Sequence, residues 1–362
     1  MERRIEVLCE ELKNQKMDAS FINTKENFFY LTGFLTDPHE RLLGLLVFPN
    51  KETVAVLPAM EKAQLEEAGF HGTIVAYEDH EDPWKKLKGH LQGVHTIGIE
   101  EEHLSYGRAK SLLALLEDHQ VKDVTDILNR QRVIKDEKEI EMMREAAALA
   151  DEGVEAGVAA LSEGVTEMEV LATIEFEMKK RGVREMSFST MVLFGEKAGH
   201  PHGNPGDRIL KKGDLVLFDL GVVWKGYTSD ITRTVAFGEV DAKQREIYET
   251  VRSAEEASLK LSKPGTRIGN LDQVARDIIT EAGYGDYFPH RIGHGLGINV
   301  HEFPSMSHLN DDVLQVGMTY TIEPGIYDPA VGGVRIEDDV LVTEDGYETL
   351  TKTTKELRII EK

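Results

Sequence analysis

The chain of 362 residues has one cysteine, Cys9, so no internal disulfide can form. Cys9 follows Ile5 and Leu8 on a predicted first helix, where core packing is its expected role. Long apolar runs are absent too. "RLLGLLVFP" is at most a buried strand and falls well short of a membrane span. The opening "MERRIEVLCEELKNQ" is charged throughout and has no signal-peptide core, which predicts a cytoplasmic protein. Basic charge is scarce: 42 Lys and Arg stand against 65 Asp and Glu, a net charge of −23. That balance argues against nucleic acid, whose phosphates need Lys and Arg stripes, and against anionic membranes. It is read first as a solvated acidic surface.

Apolar residues make up 41% of the chain and charged residues 30%, as in ordinary globular proteins, and the length predicts two domains. The first part alternates a helical "RIEVLCEELKNQ" and "AKSLLALLEDH" with short strands "ASFINT", "LLGLLVFP", "TVAVLP" and "TIVAY". This predicts an α/β domain over 1–127. The rest, 128–362, reads as α+β. Its predicted helices are "RQRVIKDEKEIEMMREAAALADEGVEAGVAAL", taken as one long helix with Asp136 and Glu139 as a capping box, and "TEMEVLATIEFEMKKRG", opened by Thr166 and Glu169. "KQREIYETVRSAEEASLKLSKPG" and "NLDQVARDIITEAGYG" follow.

One internal repeat stands out. "KKGDLVLFDLG" (211–221) aligns with "QVGMTYTIEPG" (315–325), pairing Gly213 with Gly317, Asp219 with Glu323 and Gly221 with Gly325. "GYTSDITRT" from Gly226 aligns with "GVRIEDDVL" from Gly333, pairing Asp230 with Glu337. Duplicated strands with acids at matched positions imply a pseudo-two-fold site.

Each acid alone has a bland explanation. Asp219 caps a strand end, and Asp230 shares a polar strand face with Thr228, Thr232 and Thr234. Glu323 sits in a turn, and Glu337 pairs with Arg335 on one strand face. Their coincidence with the repeat and with the glycine-rich "HRIGHGLGINVHE" (290–302) is more economically read as one site. Four carboxylates and one histidine would surround two divalent ions, the four carboxylate charges balancing the two dications. Hard oxygen ligands favour manganese, cobalt or magnesium over a thiolate-type zinc site. Gly293, Gly295 and Gly297 disfavour a helix, so His290 and His294 are not a one-face ligand pair. "GHGLG" is expected to be an open loop bringing one imidazole to a metal.

These motifs resemble the pita-bread metallopeptidases, in the branch of Xaa-Pro dipeptidases (prolidases) and aminopeptidase P. "LFDLG", "YTSDITRT", "GHGLG", "TIEPGIY" and "VRIEDD" occur in the family's order, and "NFFYLTGF" and "RVIKDEKEIEMMREA" resemble its N-terminal domain and the start of its catalytic domain. The resemblance implies a creatinase-type α/β domain before a pita-bread domain. It implies two divalent ions, manganese first, with cobalt or zinc as alternatives. Asp219 would bind one ion, Asp230 and Glu337 would bridge, and His294 and Glu323 would complete the other shell. His202 and His301 are implied to be catalytic and substrate-side residues. His290, Arg335 and Tyr227 are implied to lie beside the pocket, with packing an equal reading for His290. His200 has no family match.

The implied reaction is attack of a metal-bridging hydroxide on the carbonyl before proline in an Xaa-Pro dipeptide, with Glu323 shuttling the proton and His301 at the oxyanion. Longer peptides, cut by an Xaa-Pro aminopeptidase, are the nearest alternative. A catalytically silent peptide-binding protein is a further one, although all five ligands are kept. The family also implies a homodimer in which the N-terminal domain serves substrate access.

Overall fold

The structure is a computed structural model and describes residues 2–361. It separates into two compact units, Met1–Arg132 and Val133–Lys362. The division falls at the end of the helix Thr125–Val133, whereas the sequence reading put it at 127/128, just inside that helix. The helix runs on past the expected cut, so "RQRV" belongs to it and not to the long helix that follows. That long helix starts only at Glu137 and ends at Ala160. Asp136 stops the merger: its side chain accepts from the Lys138 and Glu139 N–H groups, and the Glu139 carboxylate returns to the Asp136 N–H at 2.8 Å.

The first unit is a six-stranded mixed sheet in the order Thr73–Tyr77, Val54–Pro58, Gly44–Val47, Ala19–Ile22, Thr96–Ile99, Gln120–Asp123. Phe21, Leu46, Val56 and Ile97 fill its core. Cys9 is half-buried, and its thiol donates to the Phe48 carbonyl at 3.3 Å.

The second unit repeats one design. A helix pair, Glu137–Ala160 with Glu167–Lys180, packs with a four-stranded sheet containing Met191–Phe194, Asp214–Leu220 and Ile231–Phe237. A second pair, Ala242–Leu261 with Ile268–Glu281, packs with a five-stranded sheet containing Gly293–Gly295, Thr319–Ile322 and Asp338–Thr343. The matched glycines Gly213 and Gly317 both turn the chain into these strands at positive φ, +92° and +86°. Strand Asp214–Leu220 pairs antiparallel with Ile231–Phe237, and Thr319–Ile322 pairs antiparallel with Asp338–Thr343. In each half, therefore, a buried strand lies beside a second strand that an acid, Asp230 or Glu337, immediately precedes.

The two halves meet along one strand face. Thr228, Asp230, Thr232 and Thr234 are all buried. Thr228 Oγ1 donates to the Gly297 carbonyl, Thr232 Oγ1 to Glu337 Oε2 and Thr234 Oγ1 to the Arg335 carbonyl. Period-two alternation thus supplies hydroxyls to the opposite half instead of a solvent-facing edge.

Candidate metal centre

The expected acids converge. Asp219 is the penultimate residue of the strand Asp214–Leu220, Asp230 precedes Ile231–Phe237, Glu323 follows Thr319–Ile322, and Glu337 precedes Asp338–Thr343. Asp219, Asp230, Glu337 and His294 are buried, and Glu323 is partly open to a cavity of about 610 Å³. One ligand atom each from Asp230, His294 and Glu337 lies within 4.8 Å of the other two. Asp219 and Glu323 line the same cavity.

His294 does not sit in an open loop. Gly293–Gly295 is a short strand whose His294 pairs with Ser305, with a bulge before Gly295. A Cβ on Gly293 would lie 2.0 Å from the Thr321 carbonyl oxygen, and one on Gly295 would lie 2.3 Å from that of Phe303. The glycines exclude a helix, as expected, but their structural use is close strand packing. The imidazole Nδ1 faces the Gly295 carbonyl at 3.1 Å, which holds the proton on that nitrogen and leaves Nε2 as an acceptor. That Nε2 points at Asp230 Oδ2 (3.6 Å) and Glu323 Oε1 (3.4 Å).

Burial pushes the His294 pKa down to about 3, so this imidazole is neutral at pH 7. The acids shift the other way. Burial, then the neighbouring carboxylates, raises Asp230 and Glu337 well above the ordinary range, and burial lifts Glu323 to about 7. Asp219 is also raised by burial, although the Arg335 guanidinium pairs with it directly. Among the described residues, Asp230 Oδ1 and Glu337 Oε1 are buried without a hydrogen-bond partner. A cluster of acceptors facing acceptors is costly, and a divalent cation between them would satisfy it. The oxygen-rich donor set with one imidazole suits such an ion.

Arg335 is placed as the sequence implied, against the acids. Its Nε donates to Thr232 Oγ1 (2.9 Å) and Nη1 to the Tyr327 hydroxyl (2.9 Å). His290 is half-buried, with Nε2 2.8 Å from the same hydroxyl and its ring edge-on to Phe288 at 5.0 Å. Burial lowers its pKa to about 4. His290 is therefore both pocket wall and packed residue. The His301 ring lies 4.1 Å from that of His294 at the cavity, and His202 lines the cavity from an exposed loop. His200 is exposed and outside the lining.

Tyr227 is not brought to the cavity. It lies on the strand face opposite Thr228, and its hydroxyl donates to Glu139 Oε1 at 2.7 Å on the long helix. Five further residues contribute to the site beyond those the sequence predicts. Tyr327 links His290 to Arg335, Asp339 Oδ2 accepts the Asp230 N–H at 3.1 Å, and Phe188, Met191 and Val300 form an apolar cavity wall. Tyr327 had a signal: it shares a strand face with Gly325 within "TIEPGIY".

The sequence profile described as metallopeptidase family M24 matches residues 141–344, and that of the creatinase/prolidase N-terminal domain matches 4–134. A Bacillus subtilis (strain 168) protein, YkvY, whose dipeptidase name is provisional, is 56% identical over 99% of both chains. The crystal structure of a prolidase from Pyrococcus horikoshii OT3 superposes with a TM-score of 0.92 at 36% identity, covering 98% of this chain and 99% of that one. An Xaa-Pro dipeptidase from Bacillus anthracis gives 0.93 at 33% identity over 99% of each.

Proposed function

This chain belongs to metallopeptidase family M24, and from that premise we propose that it hydrolyses the bond before proline in Xaa-Pro dipeptides. It is a peptidase with a creatinase-type N-terminal domain and a pita-bread domain, acting on small peptides. The observation that carries metal-dependent hydrolysis is the acceptor cluster: a neutral His294 Nε2 aimed at Asp230 and Glu323, beside two orphaned carboxylate oxygens. Asp219, Asp230, His294, Glu323 and Glu337 would hold two divalent ions, manganese first. When bound, such ions supply Lewis-acid stabilisation and an activated water.

The chain's own residues do the rest. Glu323 is the most exposed of the four acids and lines the cavity, so it is positioned to take a proton and return it to the imide nitrogen as that group leaves. His301 donates to the developing oxyanion. Arg335 fixes Asp219, while His290 and His202 bound the substrate side. The imide nitrogen before cleavage has no N–H, so a pocket gains nothing from an N–H acceptor there. The apolar wall of Phe188, Met191 and Val300 supports selection of the pyrrolidine ring by shape. A homodimer belongs to the same reading, and a fully active monomer in sedimentation would remove it.

The test compares Xaa-Pro dipeptides with Xaa-Pro-Yaa tripeptides and Xaa-Ala dipeptides across manganese, cobalt and zinc. Fastest release from Xaa-Pro with manganese is expected. Equal rates on Xaa-Ala would overturn proline selection, and no hydrolysis with any metal would leave a silent binding protein. Glu323→Gln should lower kcat by about 10²–10⁴-fold, the range of general acid–base catalysis, while much of the metal stays bound.

A further inference from the structure

We propose that Glu167 is a positioning residue that clasps both ends of the loop bearing His202, and so sets where that imidazole stands over the cavity. The inference rests on the reading above that His202 faces the substrate. Glu167 is the first residue of the helix Glu167–Lys180 and has no exposed surface. Its Oε1 accepts from the Phe194 N–H at 2.9 Å, where the loop leaves the strand Met191–Phe194. Its Oε2 accepts from the Gly206 N–H at 2.8 Å, where the loop ends, and from Lys197 Nζ at 2.5 Å within it.

The helix backbone grips the same exit: the Glu167 and Met168 N–H groups donate to the Arg208 and Gly206 carbonyls. Groups that would otherwise be orphans of a helix start are thereby satisfied by the loop. One carboxylate tying the entry, the body and the exit of a segment makes a compact surface loop with closed ends, a form often used for function.

The tip differs from the base. Pro201, His202 and Asn204 line the cavity, yet His202 is exposed and makes no hydrogen bond among the described residues. At the tip the Pro201 carbonyl accepts from Arg335 Nη1 at a long 3.5 Å and the Gly203 N–H closes a turn onto His200, but no hydrogen bond reaches the imidazole itself among the described residues, so its position follows from how the loop is held at its base. A carboxylate kept only for stability would need one cation. Glu167 instead spends its acceptor capacity on both ends of the loop, which fixes the span between them.

The test uses the full chain loaded with manganese and Ala-Pro as substrate, in wild type, Glu167→Gln, His202→Ala and the double variant. Gln is nearly isosteric, but its amide nitrogen would face the Gly206 N–H and the Lys197 ammonium, donor against donor. Losing hydrogen bonds to a charged group corresponds to about a tenfold to hundredfold larger open-loop population. Limited proteolysis within 194–206 should accelerate by about that factor, because such cleavage follows the open fraction. KM for Ala-Pro should rise about tenfold, with a smaller change in kcat and unchanged metal content. The double variant should resemble His202→Ala alone within about twofold, since contacts acting through one residue are non-additive.

Lys197→Met, which keeps the carboxylate and both backbone partners, should shift proteolysis and KM the same way by less, and stands in if Glu167→Gln fails to fold. Unchanged proteolysis, or a Glu167→Gln effect that adds in full to His202→Ala, would overturn the clasp and leave the proposed reaction intact. A wild type inert on Xaa-Pro would overturn that reaction instead, and the proteolysis arm would still decide the clasp.

Discussion

Glu337 and Asp338 are consecutive, both buried, and electrostatically opposite. Asp338 turns to resident cations: Arg233 Nη2 lies 2.6 Å from Oδ1 and Lys355 Nζ 2.7 Å from Oδ2, and Thr351 Oγ1 donates to Oδ1 at 2.8 Å. Burial alone would raise its pKa, but Arg233 and then Lys355 pull it down to about 2. Glu337 turns to other acids. It has one hydroxyl donor, Thr232 at 2.6 Å, and an oxygen with no partner, and its pKa is driven well above the ordinary range. A buried carboxylate supplied with protein cations is a structural device. One left among carboxylates and a neutral imidazole is arranged for a cation from outside.

The comparison breaks most visibly in activity. Asp230→Asn or Glu337→Gln should lower peptide hydrolysis by more than the roughly 10–100-fold that partners of metal ligands cost, with metal content falling in parallel. The same variants should leave the chelator-treated protein no less stable in thermal melts, because they remove charge that nothing compensates. A metal-free Asp230→Asn protein that melts well below the metal-free wild type would contradict this.

Arg233→Met should do the reverse. Stripping a buried pair of one partner costs about 3–5 kcal/mol of unfolding free energy, measured by urea titration. Next in size is the metal itself. At a hundredfold excess over Kd, manganese should add about 2.7 kcal/mol to wild-type stability, and that increment should vanish in Glu337→Gln.

The smallest effect is the titration of Asp338. Its folded pKa is depressed, so its stabilisation is full above its ordinary value of 3.8 and is lost as pH falls toward about 2. The difference in unfolding free energy between wild type and Asp338→Asn should therefore shrink by roughly 2 kcal/mol across that window. A constant difference would show that Arg233 and Lys355 do not hold Asp338 ionised.

The uneven legibility of the site has physical causes. Asp219, Asp230, Glu323 and Glu337 were readable because the strands that carry them are duplicated, and repetition turns four weak signals into one strong one. Asp136 and Thr166 were readable because helix starts are local: each cap and its Glu lie within one turn. The resident cations of Asp338 are not, since Arg233 lies 105 residues before it and Lys355 17 residues after it, and nothing in "RIEDD" distinguishes its acids by surroundings. Glu167 failed for a similar reason: at a helix start it looks like an ordinary first-turn acid, and its partners lie on a distant loop. Tyr227 was misjudged because strand alternation defines two faces without saying that the long helix would cover one of them. "GHGLG" predicts a loop because glycine's flexibility is the commoner reason for its presence, whereas here its lack of volume is what matters.

That last point bears on how the centre could change. At 293 and 295 the main chains of neighbouring strands occupy the space any side chain would need. The nitrogen donor's location is therefore a property of the backbone, and no adjacent position can take over if His294 is lost. The carboxylate ring can be retuned one residue at a time, but neither neighbour of His294 in its strand can carry a side chain in its place.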